Sequence, residues 1–234
     1  MTSVSRQLLD MLQTVAEALG PDLRQRLVFV GGSTTALFIT DAITREGVRL
    51  TDDVDLIVDL AGYAEWTRLQ AELREKGFAE SQEDTVICRM RLGELKVDFM
   101  PDDPRILGFS NRWYAKGIES AVTYPLTGDL DIKILTPAYF IATKLEAYLG
   151  RGNGDLFTSR DLEDVLLIVE GRPQVVEEIR VADPELRAFV AEEIVNLLAK
   201  PDFEYFIAGN VQGPEGRVDI VYKRLAALTE IGKV

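Results

Sequence analysis

The chain has 234 residues, 47% of them hydrophobic and 28% charged, which is ordinary for a folded soluble protein of one large or two small domains. It contains no histidine and one cysteine, so Ser-His-Asp and Cys-His sites, imidazole–zinc sites and disulfide frameworks are excluded. The net charge of −13 argues against broad, non-specific nucleic-acid binding, although a local basic patch remains open. No apolar run reaches the roughly 18 residues of a membrane span, and the single thiol fits a reducing cytoplasm.

Hydrophobic periodicity predicts an amphipathic first helix, with Leu8, Leu12, Val15 and Leu19 on its apolar face. The next elements expected in chain order are a strand over 26–32, a helix over 33–47 with Ser33 as its N-cap, a strand over 53–60, a helix over 63–77 with Trp66, Leu69 and Leu73 at helical spacing, and a hairpin over 85–100 turning at Gly93.

The composition changes near residue 136. A strand over 130–137 is followed by helices over 137–149, 160–170, about 174–180, 184–199 and 215–231. We therefore expect an α+β protein with two parts: a mixed α/β domain over 1–136 and a helical domain over 137–234.

The stretch RLTDDVDLIVDL (49–60) places acidic side chains at the start of an apolar strand. Asp53 and Asp55 are two residues apart, so both carboxylates point to the same face of the strand. Carboxylates this close repel unless a cation lies between them, and the pair suits one or two Mg²⁺ ions that also bind a triphosphate. A solvated strand end is the alternative. Asp52 is expected to point outward.

Two other stretches can join this pair. Gly31-Gly32-Ser33 forms a strand-to-helix turn in which backbone and hydroxyl can approach a phosphate, although an ordinary turn is the alternative. Asp98 lies on the second arm of the predicted hairpin. If that arm pairs with the 53–60 strand, Asp98 becomes a third metal ligand or a base that accepts a hydroxyl proton.

In this order, the glycine turn, the Asp-x-Asp strand and the later single aspartate resemble the nucleotidyltransferase fold of the DNA polymerase β superfamily. More closely, GGSTTALFITDAITREGVRLTDDVDLIVDL resembles the AbiEii-type nucleotidyltransferases, toxins of bacterial toxin–antitoxin pairs. That family's Arg-x-[Ser/Thr]-x-Asp-x-Asp pattern falls on Arg49, Thr51, Asp53 and Asp55. PAYFIATKLEAYLGR and SRDLEDVLLIV resemble its later helices, so the likeness covers roughly residues 26–170.

The resemblance implies Mg²⁺-dependent transfer of a nucleoside monophosphate from a nucleoside triphosphate. The implied catalytic residues are Asp53, Asp55, Asp98 and Lys144, of which the three aspartates are also the expected metal ligands. The expected nucleotide-binding residues are Gly31, Gly32, Ser33, Arg49, Thr51, Arg151 and Asp161.

The helix that carries Lys144 has its own pattern. At 100° per residue, Ile141, Leu145 and Tyr148 form its buried stripe, and Lys144 and Arg151 lie on one flank. These cations suit a nucleotide's charged oxygens, while surface side chains that only cover apolar area are the alternative. On the next helix, Asp161 and Asp164 can orient the cations or contact the nucleotide, although both can instead be first-turn acids favoured by the helix dipole. Asp164 is interpreted as a first-turn acid favoured by the helix dipole.

In the resembled family the acceptor is often RNA, including the 3′ end of tRNA, whereas related enzymes modify proteins. The stretch RILGFSNRWYAKG (105–117) interleaves cations with aromatic rings, which suits RNA, although a loop anchored by Trp113 is equally compatible. The acidic composition favours a protein acceptor such as a cognate antitoxin. A third alternative is a module that binds nucleotide or a partner without catalysis.

Overall fold

The computed structural model describes residues 3–151 and 155–232, without the side chains of Ser3 and Arg151. The strands are β1 (Leu27–Val30), β2 (Asp53–Val58), β3 (Arg89–Leu92), β4 (Leu95–Pro101), β5 (Val122–Thr127) and β6 (Leu130–Ile134). The helices are α1 (Ser3–Arg26), α2 (Thr35–Phe38), α3 (Ala42–Glu46), α4 (Tyr63–Glu75), α5 (Pro104–Leu107), α6 (Tyr114–Glu119), α7 (Pro137–Arg151), α8 (Arg160–Gly171), α9 (Val175–Arg180), α10 (Pro184–Leu198), α11 (Phe203–Asn210) and α12 (Arg217–Ile231). A short 3-10 helix spans Gly32–Thr34.

The protein has the expected α+β fold, with a mixed sheet, flanking helices and a helical C-terminal part. Contacts along the chain divide it into two compact units, Met1–Thr34 with Arg49–Thr136, and Thr35–Val48 with Pro137–Val234. The division after residue 136 coincides with the boundary expected from the sequence. The segment Thr35–Val48 differs, because the sequence assigns it to the first domain and the structure assigns it to the second unit. No helix in the described ranges is long and apolar enough to cross a membrane.

The first unit contains one six-stranded sheet in the order β3-β4-β2-β1-β6-β5. β2 runs antiparallel to β1 and parallel to β4, while β3 and β4 form the hairpin predicted around Gly93. The pairing of β2 with β4 brings the acidic strand beside the strand of Asp98. This confirms the condition under which Asp98 was expected to join the Asp53–Asp55 pair.

Helix α1 uses the face that the sequence predicts. Leu8, Leu12, Val15 and Leu19 are all buried. The helix is kinked at Gly20, whose φ of 71° breaks the helical path just before Pro21. On α4, the predicted apolar residues are likewise buried: Trp66, Leu69 and Leu73.

The helix predicted over 33–47 is wrong as one continuous element. The 3-10 turn, α2 and α3 replace it, and Ser33 lies inside the 3-10 turn rather than capping a helix. Asp41 is the true N-cap of α3, because its carboxylate accepts a hydrogen bond from the Thr44 backbone N–H at 2.8 Å. Four further elements were not predicted from the sequence: β5, a largely exposed strand that contains Pro125, and the short helices α5, α6 and α11.

The second unit is built of helices. On α7 the predicted stripe is buried: Ile141, Leu145 and Tyr148. The backbone N–H groups of Thr40 and Asp41 both donate to the carbonyl oxygen of Gly171, each at 3.0 Å. A Cβ at Gly171 would lie 2.6 Å from an Ile39 methyl carbon, so only glycine allows this approach. The segment between α2 and α3 is thereby fixed to the end of α8.

Candidate functional site

The three predicted acidic residues share one face of the sheet. Asp55 on β2 is paired in register with Asp98 on β4, and Asp53 lies two residues before Asp55. Registered neighbours and residues two apart point to the same side of a sheet. The intervening residues Val54 and Val97 are fully buried on the opposite side. The sheet thus presents a polar acidic face over an apolar one.

The glycine turn lies directly against this face. β1 ends at Val30, and Gly31 follows with a φ of 72°, which favours glycine. A Cβ on Gly31 would lie 1.9 Å from Oδ2 of Asp55, well inside van der Waals contact. The turn is closed by Thr34, whose backbone N–H and Oγ1 donate to the Gly31 carbonyl oxygen at 3.2 and 2.9 Å. Gly31 is therefore required both by its backbone angle and by the carboxylate beside it.

Ser33 and Gly32 are buried in the same turn. Among the described residues, no group forms a hydrogen bond with the Ser33 hydroxyl. A buried hydroxyl without a partner is costly, so a hydroxyl in this state marks a place where a ligand oxygen can complete the hydrogen bonding. The expected contact between this turn and a phosphate stays a prediction.

Arg89 is the site residue that the sequence reasoning missed. Its Nε and Nη2 donate to the two carboxylate oxygens of Asp98 at 2.7 and 2.8 Å, and Nη2 also donates to Oδ2 of Asp53 at 3.0 Å. The bonds to Asp98 and the nearby negative charges raise the pKa of Arg89. A signal was present, since counting back from the Gly93 turn pairs Arg89 with Asp98.

The three carboxylates are held in two groups. Asp53 and Asp98 share the Arg89 guanidinium, and Asp55 lies against Gly31. Within 3–151 and 155–232, no group of three or more acidic or cysteine side chains is arranged to hold a metal ion. The donor chemistry still suits a hard cation, because carboxylate oxygens are the ligands that Mg²⁺ prefers. Asp53 is the more accessible partner of Arg89, with 34% of its side chain exposed against 10% for Asp98.

The residues that precede β2 have distinct environments. Asp52 is exposed, as expected. Thr51 is buried, and its hydroxyl donates to the Asp53 carbonyl oxygen at 3.1 Å. Arg49 is half-buried in the same unit. The Thr51 hydroxyl thus stabilises the backbone at Asp53. A direct nucleotide contact by Arg49 or Thr51 stays a prediction.

Lys144 lies in the second unit and is not a surface side chain. Its ammonium is 3.1 Å from Oδ1 of Asp161 and 2.6 Å from Oδ2 of Asp164. The interpretation of Asp164 as a first-turn helix acid is wrong, because its carboxylate is buried and paired with Lys144. The expected orientation of the cation by Asp161 agrees with the observed contact. The side chain of Arg151, a further predicted nucleotide contact, lies outside the described part of the chain.

The thiol of Cys88, the residue before Arg89, is free and buried. Burial, reinforced by the charges of Asp98 and Asp55, raises the pKa of the Cys88 thiol to about 12, so this cysteine is no nucleophile at neutral pH.

Trp113 is only 1% exposed and anchors the 105–117 stretch, with the Arg112 guanidinium 5.2 Å from its ring centroid. The Trp113 ring is therefore unavailable for base stacking in this conformation, whereas Phe109 is 41% exposed.

Comparisons with known proteins show the fold alone. No protein-family model matches the chain, and a search of curated proteins finds no match. Among solved structures, the chain is similar to JHP933 from Helicobacter pylori, with a TM-score of 0.50 and 10% sequence identity. The likeness covers 100% of this chain and 94% of that one. At this low sequence identity it shows that the two chains share a fold and nothing more.

Proposed function

We propose that the chain is a nucleotidyltransferase, which moves a nucleoside monophosphate from a nucleoside triphosphate to an acceptor hydroxyl and releases pyrophosphate. The observation that carries this proposal is the common face of Asp53, Asp55 and Asp98 beside a buried glycine–serine turn. Carboxylates and a phosphate-compatible turn at one end of a sheet are what metal-assisted phosphoryl chemistry requires. A site of this kind works by positioning and electrostatics, so the absence of histidine from the chain is no obstacle.

Each residue of the turn and face has a defined task in this proposal. Asp53 and Asp55 would hold Mg²⁺, and the ion would neutralise charge on the triphosphate oxygens. The Gly31-Gly32 backbone comes close to the phosphates, and the Ser33 hydroxyl donates to a phosphate oxygen. Asp98 has both oxygens bonded to Arg89, so as a third ligand or as the base for the acceptor hydroxyl it would use the remaining lone pairs of these oxygens.

The acceptor that we propose first is RNA, with the 3′ end of tRNA as the form implied by the family resemblance. The supporting feature is Phe109, an exposed ring on the same stretch as Arg112 and Lys116. A protein acceptor is the second candidate, favoured by the net charge of −13, which opposes binding to long nucleic acid. A toxin role with a cognate antitoxin, and a location in the cytoplasm, belong to the same proposal.

Transfer of label tests the activity directly. The full chain is incubated with Mg²⁺, total cellular RNA and protein, and each of the four α-labelled nucleoside triphosphates in turn. Asp53→Asn and Asp55→Asn are compared with Asp52→Asn, which alters an exposed carboxylate one position away. We expect label in tRNA-sized RNA with the wild type and with Asp52→Asn, and none with the other two.

The outcomes separate the three candidate functions. Label in protein instead of RNA would identify a protein-modifying enzyme. Label that persists in folded Asp53→Asn would contradict the assigned site. Mg²⁺-dependent nucleotide binding with no label in either pool would favour a binding module.

A further inference from the structure

We propose that Arg89 competes with a divalent cation for Asp53 and thereby sets the metal affinity of the acidic face. This inference rests on the proposed function, since it takes the cation site of that function as given. It assigns to Arg89 a task that concerns metal binding and not the transfer step. Arg89 is accordingly a positioning residue.

The geometry that supports this inference is the sharing of one guanidinium nitrogen. Nη2 of Arg89 donates to Asp98 at 2.8 Å and to Asp53 at 3.0 Å, so it lies between two carboxylates of the acidic face. This is the position from which a cation offsets the repulsion between the two negative charges. A divalent ion at Oδ2 of Asp53 would lie close to the positive guanidinium and would compete with the hydrogen bond from Arg89.

The arginine is held in this place by the sheet and by Asp98. Arg89 is paired in register with Asp98 on β4. At the preceding residue, the Cys88 carbonyl oxygen accepts a hydrogen bond from the Phe99 backbone N–H at 2.8 Å. The bidentate contact with Asp98 gives a fixed direction to a planar group that is 13% exposed. The guanidinium is thus anchored at Asp98 and reaches Asp53 with one further bond.

The two bonds differ in how easily they yield. Asp98 accepts two hydrogen bonds from Arg89 and its side chain is 10% exposed, whereas Asp53 accepts one from Arg89 and its side chain is 34% exposed. Water and ions therefore reach Asp53 more readily, and a single bond is lost at lower cost than a bidentate pair. A cation would therefore displace the hydrogen bond between Arg89 and Asp53, while the ion pair between Arg89 and Asp98 would remain.

Direct metal titration of the full chain tests this inference without any nucleotide. Mn²⁺ serves as the probe, and its free concentration is followed by electron paramagnetic resonance. The variants are Arg89→Gln, Arg89→Lys, Arg91→Gln and Asp53→Asn. Arg91→Gln is the matched control, because Arg91 lies two residues further on β3 and makes a similar bidentate pair with a different acid, Asp84, at 2.7 and 3.0 Å.

We expect Arg89→Gln to bind Mn²⁺ about tenfold more tightly than the wild type, the change expected when one competing charge-assisted hydrogen bond is removed. Arg89→Lys keeps a charge but loses the fixed fork, so its affinity should lie between the two. Arg91→Gln should bind as the wild type does, and Asp53→Asn should lose binding.

Failure of this inference is distinguishable from failure of the proposed function. Equal affinity in wild type and Arg89→Gln, abolished in Asp53→Asn, would overturn the competition and leave the metal site standing. Weaker binding in a folded Arg89→Gln would also overturn it. Absence of Mn²⁺ binding in every variant would overturn both. If Arg89→Gln does not fold, Arg89→Lys decides, since affinity no tighter than the wild type's refutes the inference.

Discussion

The carboxylate of Asp55 lies against the Cα of Gly31, at a distance that leaves no space for a side chain between them. The last residue before the glycine turn, Val30, is also paired in register with Asp55 across β1 and β2. The turn and the acidic strand are therefore fixed to each other, and the position of one determines the position of the other. A change at Gly31 will act on the carboxylate as well as on the backbone.

Replacement of Gly31 by alanine should consequently abolish nucleotidyl transfer and lower the free energy of unfolding by more than about 1 kcal/mol, the usual cost of placing an alanine in this left-handed conformation. Urea unfolding and label transfer measure the two effects. Gly128→Ala is the control, because Gly128 has a φ of 51° and no described atom lies within 4 Å of an added Cβ. It should share the backbone cost and keep the activity. Full activity in Gly31→Ala would contradict the close packing.

The Lys144 pair predicts a large difference between two neighbouring acids. Asp164→Ala removes a partner whose side chain is 2% exposed, and loss of one member of a buried pair costs about 3–5 kcal/mol. Asp161→Ala removes a partner at a longer distance, so the loss of stability should be smaller. Urea unfolding compares the two variants directly. Equal destabilisation by both would show that Asp164 is not the main partner of Lys144.

The cap of α3 predicts a pH dependence. The backbone N–H of Thr44, and then the Arg217 guanidinium, lower the pKa of Asp41 from 3.8 to about 2. A carboxyl with a lowered pKa in the folded state stabilises the protein above its unfolded pKa, and this contribution is lost as the pH falls towards the folded value. Asp41→Ala should therefore cost about 1 kcal/mol at neutral pH, typical of a lost N-cap.

The stability gap between wild type and Asp41→Ala should narrow as the pH falls below 3.8 towards 2. Urea unfolding at a series of pH values follows this gap. Asp41→Asn, which keeps an acceptor for the Thr44 N–H but loses the charge, separates the cap from the ion pair with Arg217. A gap that stays constant down to the lowest pH would show that the carboxylate charge contributes nothing.

The RNA hypothesis makes a prediction about one loop. Because Trp113 is buried and Phe109 is exposed, Phe109→Ala should weaken RNA binding while leaving the melting temperature nearly unchanged. Charge reversal at Arg112 and Lys116 should weaken it further and reduce its salt dependence. Trp113→Ala should instead destabilise the fold, by about 3–5 kcal/mol for loss of a buried aromatic ring. Unchanged RNA affinity in Phe109→Ala would favour a loop with a purely structural role.

The elements that the sequence predicted correctly are those with strong local patterns. Apolar periodicity predicts the buried face of α1, α4 and α7. The alternation of apolar residues around the Gly93 turn predicts the hairpin in the same way. β5 escaped prediction because it is mostly exposed and has no alternation to read. The helix expected over 33–47 is interrupted because hydrogen bonds from Thr40 and Asp41 to Gly171 fix the chain between α2 and α3.

The positions of the acidic residues were predictable from the sequence, whereas the contacts of the cationic residues Lys144 and Arg89 were less so. Asp53, Asp55 and Asp98 lie on one face because strand geometry and register demand it. The contact of Lys144 with Asp164 depends on how α7 packs against α8, which no local pattern encodes. Arg89 had a signal in the hairpin register, but that signal becomes meaningful only when β4 is known to pair with the acidic strand.

The assignment of Thr35–Val48 to the helical unit has a consequence for how the chain can be divided. Within that unit Phe38 packs on Phe140, with ring centroids 4.7 Å apart, and Ile39 is buried. A fragment that ends at residue 136 would carry these apolar side chains without the helices that cover them, and we expect it to aggregate. A protease cut after residue 136 would likewise fail to release two independent halves. The sheet and the helices are therefore best expressed, and exchanged between homologues, as one piece.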